Sequence, residues 1–213
     1  CSSHLGRNVK IGLVGNGDPG DLGELRKKLL TCDQVIAVDG GLRHLAELGL
    51  KPDTLVGDFD SISKKDLVRF SDVPQVKFPQ DKDETDMALA LKISSDLNPE
   101  KICLFAALGR RVDHTLANIR LLTLYPEKAF IETESETLYA IHGFHKQKSA
   151  PGQTVSFFSA GEKAIGVKTK GFKWELDGAQ IDNQLYSLSN IALGENFEIT
   201  VSSGTLIIVI QHV

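Results

Sequence analysis

The chain has 213 residues, which is enough for one large domain or two small ones. Hydrophobic residues make up 41% of it and charged residues 24%, and the net charge of −4 comes without a basic block. We therefore expect no nucleic-acid partner, because such partners require clustered lysine and arginine side chains. We also expect no membrane partner, since no apolar run approaches the roughly 20 residues that span a bilayer.

The N-terminal region and the cysteines indicate a cytoplasmic protein. Residues 1–10 are polar and lack the apolar segment of a signal peptide, and Cys1–His4 is set apart from the fold. Cys32 and Cys103 lie far apart in the sequence, and no pair of cysteines has the spacing of a metal site. A reducing compartment fits this usage best, so we expect a cytoplasmic location.

Strand-like and helix-like segments alternate over the first 145 residues. The predicted strands are Val9–Val14, Gln34–Val38, Thr54–Val56, Gln75–Phe78, Lys101–Ala107, Ala129–Thr133 and Thr137–Ile141. Helical spacing of apolar residues predicts helices over Asp21–Leu30, Leu42–Leu48 and Lys64–Phe70, and two more that begin near Met87 and Leu116. This alternation predicts an α/β fold, in which residues 1–145 form a mostly parallel, Rossmann-like domain.

The remaining residues, 146–213, show strand-like segments without a helical period. They follow Lys146–Gly152, which has the composition of a linker or turn. The predicted strands are Thr154–Phe158, Ala164–Lys168, Phe172–Leu176, Leu185–Leu188, Phe197–Val201 and Thr205–Ile210. They predict a small all-β sandwich domain. About 65 residues make a small core, so we expect this domain to pack on the first one or on a second subunit.

Two carboxylates follow the third predicted strand, in Gly57-Asp58-Phe59-Asp60-Ser61. Period-two spacing in an extended chain places Asp58 and Asp60 on one face, where they repel each other unless water or a cation screens them. Oxygen ligands of this kind suit Mg²⁺, which takes one or two carboxylates together with substrate phosphates. An ordinary surface turn is the alternative, since Gly-Asp and Asp-Ser are common turn residues.

Further polar residues follow neighbouring predicted strands. Asp39 precedes Gly40 and Gly41 after the second strand, and Arg111 and Asp113 follow the fifth. Ligands of open α/β sheets bind outside the carboxyl ends of the strands. We therefore expect these residues to share one site with the two carboxylates after the third strand.

Other candidate residues have structural interpretations beside the functional ones. Asp86 is a candidate metal-facing carboxylate, but Asp86 and Asp113 both stand where a helix begins, and capping and the helix dipole favour carboxylates there. The turn Gly15–Gly20 matches neither a dinucleotide-binding nor a P-loop pattern, so a plain connection is favoured. Trp174 is favoured as a core residue, with stacking on a ring or a cation as the alternative.

Five short motifs occur in order along the chain. They are Val38-Asp39-Gly40-Gly41; Pro52-Asp53 with Gly57-Asp58-Phe59-Asp60-Ser61; Asp83-Glu84-Thr85-Asp86-Met87-Ala88-Leu89; Gly109-Arg110-Arg111-Val112-Asp113-His114-Thr115; and Gly171-Phe172-Lys173-Trp174-Glu175-Leu176 with Leu188-Ser189-Asn190. Together they resemble the thiamine pyrophosphokinase family over nearly the whole chain. The resemblance implies an α/β domain that binds ATP and Mg²⁺, and a β-sandwich that binds thiamine and forms a homodimer with shared active sites. The implied reaction transfers the diphosphate of ATP to the hydroxyl of thiamine and releases AMP.

The resemblance also implies roles for individual residues. Asp58, Asp60 and Asp86 would hold Mg²⁺ against the ATP phosphates, and Arg111 would stabilise charge on the phosphate chain. The residues implied on the nucleotide side are Asp39, Gly40, Gly41, Asp83 and Thr85. Those implied on the thiamine side are Asp113, Trp174, Ser189 and Asn190. Under this resemblance Trp174 stacks on the rings of thiamine instead of lying in a core.

Three other functions stay open from the residues themselves. A Mg²⁺-dependent phosphohydrolase could use Asp58 and Asp60, although Gly57 interrupts the strand before them. A pyrophosphokinase acting on another heterocyclic alcohol, such as a hydroxymethylpterin, would need the same ATP half of the site. A nucleotide- or thiamine-binding module without catalytic activity would share the fold.

Overall fold

The structure is a computed structural model that describes residues 9–159 and 161–213. It has a mixed α/β fold with a large sheet and divides into two compact units. The first unit extends to Asn118 and includes Ile131–Glu134, and the second comprises Ile119–Phe130 and Ser135–Val213. The domain boundary placed after His145 stays a prediction. The segment Cys1–His4 lies outside the described residues.

Five parallel strands form the sheet of the first unit. They are Lys10–Val14 (β1), Gln34–Val38 (β2), Thr54–Gly57 (β3), Gln75–Lys77 (β4) and Lys101–Phe105 (β5). Their order is β5-β1-β2-β3-β4, with every pair parallel. Val14, the last residue of β1, pairs with both Ala37 and Phe105. The carboxyl ends of these strands therefore meet at one edge of the sheet.

The strand order reverses direction at β1. The chain passes from β1 through β2 and β3 to β4 on one side, and β5 then returns to the other side of β1. In open α/β sheets such a switch point leaves a crevice at the carboxyl edge, because the flanking connections run to opposite sides. The fold thus predicts where a ligand would bind before any side chain is considered.

Five helices accompany the strands. They are Leu22–Leu29 (α1), Leu42–Leu48 (α2), Lys64–Arg69 (α3), Asp86–Asp96 (α4) and Val112–Leu121 (α5), and short 3₁₀ turns cover Asp39–Gly41 and Leu122–Leu124. Three of the helices begin at a polar side chain that accepts a backbone N–H: Asp21, Ser63 and Thr85 cap α1, α3 and α4. The helices predicted over the first unit are confirmed to within a few residues. In the described part of the chain, no helix has the length and apolar character needed to cross a membrane.

The second unit is built mainly from antiparallel strands. They are Glu136–Lys148 (β7), Thr154–Ser159 (β8), Ala164–Lys170 (β9), Ala179–Ile181 (β10), Ser187–Ile191 (β11) and Asn196–Gln211 (β12), while Ala129–Glu132 (β6) is divided between the two units. β12 pairs with β7 along its length, with β9 through its first half and with β8 through its second. In its core the ring of Phe172 packs edge-on against Phe157 and at a tilt against Phe197, with centroids 5.8 and 4.7 Å apart.

Three expectations for the C-terminal segments are wrong. Strand β7 continues to Lys148, so the linker predicted from Lys146 begins too early. The two strands predicted over Phe197–Val201 and Thr205–Ile210 belong to β12, which stays paired with β7 on both sides of a register shift. The segment Phe172–Leu176 forms an isolated bridge between Phe172 and Ala192 instead of a strand.

Candidate active site at the carboxyl edge of the parallel strands

A cavity of about 460 Å³ lies at the carboxyl edge of the sheet in the first unit. The loops after β1, β2, β3 and β5 line it, together with the first turn of α4 and the first two turns of α5. Its polar lining residues are Asn16, Asp39, Asp60, Ser61, Thr85, Asp86, Arg110, Arg111, His114 and Asn118. The size is in the range of small-molecule sites, and residues of both charges converge on it.

The side chains of Asp39, Asp58 and Asp60 form a cluster of three carboxylates at this edge. One carboxylate oxygen from each lies within 4.8 Å of the others. The sequence predicted the convergence of Asp58 and Asp60 for the wrong reason, because the chain here is not extended. Phe59 has a left-handed φ of 71°, and the backbone N–H of Asp60 donates to Asp58 Oδ1 at 3.0 Å. A tight turn closed by this hydrogen bond therefore brings the two carboxylates together.

Asp39 adds a carboxylate from the neighbouring strand end. Its backbone is left-handed, with a φ of 45°, and Oδ2 accepts a hydrogen bond from the hydroxyl of Ser61. Oδ1 is buried without a hydrogen-bond partner among the described residues. A buried carboxylate oxygen is costly unless it is paired, and a cation bound here would supply the missing partner. The residues present thus fit a divalent cation.

Glycines allow the loops around Asp39 to pack closely. A Cβ at Gly57, whose φ is 147°, would meet Asp39 Cβ at 3.0 Å. A Cβ at Gly41 would overlap the carbonyl oxygen of Val14, and one at Gly40 would overlap the side chain of Asn16. Gly41 is therefore required by its close approach to the backbone of Val14 and Gly15, whereas a Cβ at Gly40 would displace the side chain of Asn16.

Asp86 faces Lys82, a residue that the sequence-based reasoning missed. Lys82 Nζ lies 3.0 Å from Asp86 Oδ1 and 3.6 Å from Asp58 Oδ2. Burial raises the pKa of Asp86, and the ammonium of Lys82 offsets part of that effect. The N–H of Asp60 lowers the pKa of Asp58, and Lys82 contributes further. Lys82 precedes helix α4, so helical spacing gave no signal for its contact with Asp86.

The glycine-rich loop after β1 lines the cavity and is held by helix α2. Arg43 Nη2 donates to the carbonyl oxygen of Asn16 at 3.2 Å, and His44 Nε2 lies 3.1 Å from the carbonyl oxygen of Gly17. The same Nε2 atom lies 3.3 Å from Arg43 Nη2. Burial, followed by the charge of Arg43, lowers the pKa of His44. The plain connection favoured from the sequence thus forms one wall of the cavity.

Arg111 and Asp113 form an exposed ion pair at the start of α5. Arg111 Nε and Nη2 donate to the two oxygens of Asp113 at 3.1 and 2.5 Å. The guanidinium of Arg111 and the backbone N–H of His114 lower the pKa of Asp113 to about 2. Asp113 is the second residue of α5, so the interpretation of Asp113 as an N-cap is wrong. Arg111 lines the cavity, where a cationic fork can bind an anion.

The three C-terminal candidates lie in the second unit. Trp174 is 55% exposed, so its interpretation as a core residue is wrong. Asn190 is buried, and its amide donates to the carbonyl oxygen of Trp174 at 2.7 Å while its Oδ1 accepts the N–H of Trp174 at 3.2 Å. Ser189 is exposed with a left-handed φ of 56°. The side chain of Asn190 therefore holds the backbone that presents the indole.

The structure brings part of the predicted site together in the first unit. Four residues from the prediction line the cavity with Asp39: Asp60, Thr85, Asp86 and Arg111. Asp58 does not line the cavity but belongs to the cluster of carboxylates with Asp39 and Asp60. Asp83 is exposed and lies outside the cavity lining. An α/β sheet whose carboxyl edge combines grouped carboxylates with arginines is typical of proteins that bind phosphorylated ligands with a divalent cation.

Comparisons with known proteins identify the family. The model described as "Thiamin pyrophosphokinase, catalytic domain" matches residues 25–133, and that described as "Thiamin pyrophosphokinase, vitamin B1 binding domain" matches residues 141–207. Thiamine pyrophosphokinase 3 of Oryza sativa subsp. japonica is 30% identical over 168 residues, 72% of this chain and 63% of that protein. Thiamine pyrophosphokinase of Bacillus subtilis is 26% identical over 182 residues, 82% of this chain and 85% of that protein.

A solved structure agrees with these sequence relationships. The crystal structure of thiamin pyrophosphokinase from Geobacillus thermodenitrificans has a TM-score of 0.82 and 28% identity, and the match covers 96% of this chain and 98% of that one. The chain belongs to the thiamine pyrophosphokinase family. It spans just under two thirds of the length of the rice relative.

Proposed function

We propose that the protein is a thiamine diphosphokinase, which transfers the diphosphate of ATP to the hydroxyl of thiamine and releases AMP. The observation that carries the proposal is the group of Asp39, Asp58 and Asp60 beside a cavity that also receives Arg111. Family membership supports the choice of reaction, because the related proteins are named for it. Phosphoryl-type transfer needs mainly positioning and charge neutralisation, which these residue types supply.

Asp39, Asp58 and Asp60 would hold Mg²⁺, with Asp86 beside them. Asp58, Asp60 and Asp86 are the ligands implied by the family resemblance, and the buried, unpartnered oxygen of Asp39 supports adding a fourth. When bound, the ion would neutralise phosphate charge and make the β-phosphorus more electrophilic. Since Asp39 and the Asp58 turn belong to neighbouring strand ends, the sheet positions these carboxylates before any ligand arrives.

The nucleotide would occupy the cavity of the first unit. Gly40 and Gly41 support the wall formed by the loop after β1, and Thr85 caps helix α4 at the cavity. Arg111 would place two N–H donors on the phosphate chain. The role of Asp83 stays a prediction, since its side chain is exposed outside the cavity lining.

The residues proposed for thiamine are those that the family resemblance implies, namely Asp113, Trp174, Ser189 and Asn190. The exposed indole of Trp174 offers a face on which the cationic thiazolium can stack, and Asn190 fixes the backbone of that residue. Ser189 is exposed and free to offer its hydroxyl to the aminopyrimidine. In the reaction, the thiamine hydroxyl oxygen bonds to the β-phosphorus, and the bond from that phosphorus to the oxygen of the α-phosphate breaks.

The finer features implied by the resemblance are part of the same proposal. They are a Rossmann-like N-terminal domain over residues 1–145, a β-sandwich over residues 146–213, a homodimer with shared active sites and a cytoplasmic location. The parallel order of β1 to β5 and the antiparallel strands of the second unit support the first two. Exposed apolar residues of the second unit, among them Trp174, Tyr186 and Leu188, support a homodimer. Sedimentation at several protein concentrations tests the dimer.

An AMP-release assay tests the function directly. AMP should form only when ATP, Mg²⁺ and thiamine are all present, and omission of any one should abolish it. Replacement of Asp58 or Asp60 by Ala should remove turnover. Inorganic phosphate released from phosphate esters without ATP would identify a phosphohydrolase instead. AMP formed with a hydroxymethylpterin but not with thiamine would identify a different acceptor, and ligand binding without turnover would identify a binding module.

A further inference from the structure

Lys82 stands between two carboxylates of the candidate metal site. Its Nζ atom lies 3.0 Å from Asp86 Oδ1 and 3.6 Å from Asp58 Oδ2, and it donates to the carbonyl oxygen of Pro79 at 3.0 Å. The side chain of Lys82 is 15% exposed, and those of Asp58 and Asp86 are 13% and 21% exposed. An ammonium enclosed by three oxygen atoms differs from a solvated surface lysine, whose ion pairs contribute little.

The other two carboxylates of the site have neutral partners. Gln80 Nε2 donates to Asp60 Oδ2 at 2.8 Å, and the hydroxyl of Ser61 donates to Asp39 Oδ2. Asp58 and Asp86, by contrast, share the positive charge of Lys82. Two carboxylates held near each other repel, so a cation between them lowers the energy of the free protein.

We propose that Lys82 is an internal counter-ion, whose ammonium occupies the space between Asp58 and Asp86 until a divalent cation displaces it. The geometry gives the reason, because one oxygen from each of Asp39, Asp58 and Asp60 lies within 4.8 Å of the others, whereas Asp86 Oδ1 faces Lys82. The inference rests on the proposed function, which places Asp86 among the metal ligands. It follows that the free protein binds divalent cations weakly, and that the cation enters together with a triphosphate whose negative charge compensates for the lysine.

Binding of Mn²⁺ in the absence of nucleotide and thiamine tests the proposal. Free Mn²⁺ is counted by electron paramagnetic resonance during titration of the protein. Lys82→Met should bind Mn²⁺ at least about tenfold more tightly than the wild type, because no ammonium competes for the carboxylates. Lys82→Gln keeps a donor for Pro79 but no charge, and it should show the same gain.

Lys77→Met is the matched control. Lys77 lies at the same edge, with its Nζ 5.8 Å from the centroid of the Phe59 ring, and the substitution removes the same charge. It should change Mn²⁺ affinity by less than about threefold, since salt screens an exposed charge. Addition of Asp58→Asn to Lys82→Met should remove the gain and so assign it to this site.

Thermal melting separates a counter-ion from a purely structural lysine. In the presence of a chelator, Lys82→Met should melt below the wild type, and Mn²⁺ should raise its melting temperature by more than it raises that of the wild type.

Unchanged or weaker Mn²⁺ binding in both Lys82 variants would overturn the proposal, whatever their stability. If the Lys82 variants bind Mn²⁺ more tightly but the wild type forms no AMP from ATP and thiamine, the proposed function is overturned and the counter-ion stands. If the wild type forms AMP but both Lys82 variants keep the wild-type Mn²⁺ affinity, the counter-ion is overturned and the proposed function stands.

Discussion

The side-chain amide of Asn190 and the backbone of Trp174 are joined by two hydrogen bonds, of 2.7 and 3.2 Å. Asn190 is buried, while the indole of Trp174 is 55% exposed. A buried polar side chain thus orients an exposed aromatic one, and the two residues have separable roles. Under the proposed function, Asn190 would position the backbone of Trp174, and Trp174 would touch thiamine.

We therefore predict different outcomes for substitutions at these two positions. Asn190→Ala should lower the free energy of unfolding by about 1–3 kcal/mol, because buried polar groups lose their partners. Trp174→Ala should lower it by less than about 1 kcal/mol, since the ring is exposed. Both should raise the KM for thiamine, measured by AMP release. Full stability of Asn190→Ala with loss of thiamine binding would instead assign Asn190 a direct contact.

Asp39→Asn should separate the charge of Asp39 from its shape. Asn tolerates left-handed backbone well, so the φ of 45° at this position should be kept. We expect stability within about 1 kcal/mol of the wild type, because Oδ1 already lacks a partner in the described structure. AMP formation should fall by roughly 100-fold or more, since the cation loses a charged ligand.

Asp72→Asn is the control for this substitution. Asp72 pairs with Lys51 at the surface and is 69% exposed. Its replacement removes one carboxylate from the protein but none from the cavity, so AMP formation should stay at the wild-type rate. Equal activity of Asp39→Asn and Asp72→Asn would contradict a metal-binding role for Asp39.

Gly41→Ala should destabilise the protein by about 1–3 kcal/mol, because the added Cβ overlaps the carbonyl oxygen of Val14. The displaced loop after β1 should also weaken ATP binding. Gly194→Ala is the comparison, since a Cβ there has no atom within 4 Å, and its effect should stay under about 0.5 kcal/mol. Urea unfolding measures the stability of both variants. Equal stability of the two variants would show that the loop yields at little cost.

His44 should make stability depend on pH. Burial lowers the pKa of His44 below its ordinary 6.5, so the unfolded chain takes up a proton at a pH where the folded protein does not. The contribution of neutral His44 to stability is therefore fully present above about pH 6.5 and is lost as the pH falls below that value. His44→Gln keeps an N–H donor for Gly17 without titrating, and its free energy of unfolding should fall less steeply between about pH 7 and pH 5. Parallel slopes in the two proteins would exclude His44 as the cause.

The sequence predicts the edge of the sheet at which the site lies, but not how each side chain reaches it. Apolar runs and capping residues place β1 to β5 and α4 well, because local preference and tertiary packing agree there. Residue composition offered a turn at Asp58 to Asp60 as an alternative, but it did not indicate that the turn brings the two carboxylates together, since a left-handed aromatic residue at Phe59 is uncommon. Lys82 was missed because its partners include Asp58, 24 residues away, and only the fold brings them together.

In the second unit, too, the sequence alone does not predict where every strand begins and ends. Ser202-Ser203-Gly204 has the composition of a break, yet β12 continues through it because pairing with β7 resumes after the register shift. Trp174 lies in a segment pinned by Asn190 and by an isolated bridge at Phe172, so strand alternation does not apply to it. In both places long-range pairing overrides local composition.

Asp39 and Asp58 follow β2 and β3, and Val38 and Val56 are partners in the ladder between those strands. The ladder between β2 and β3 therefore anchors both residues, which lie one and two positions beyond Val38 and Val56. Opening of this buried ladder would displace both carboxylates. Slowly exchanging amides should therefore lie directly beneath the acidic edge, and heat should abolish cation capture and the fold in a single cooperative step.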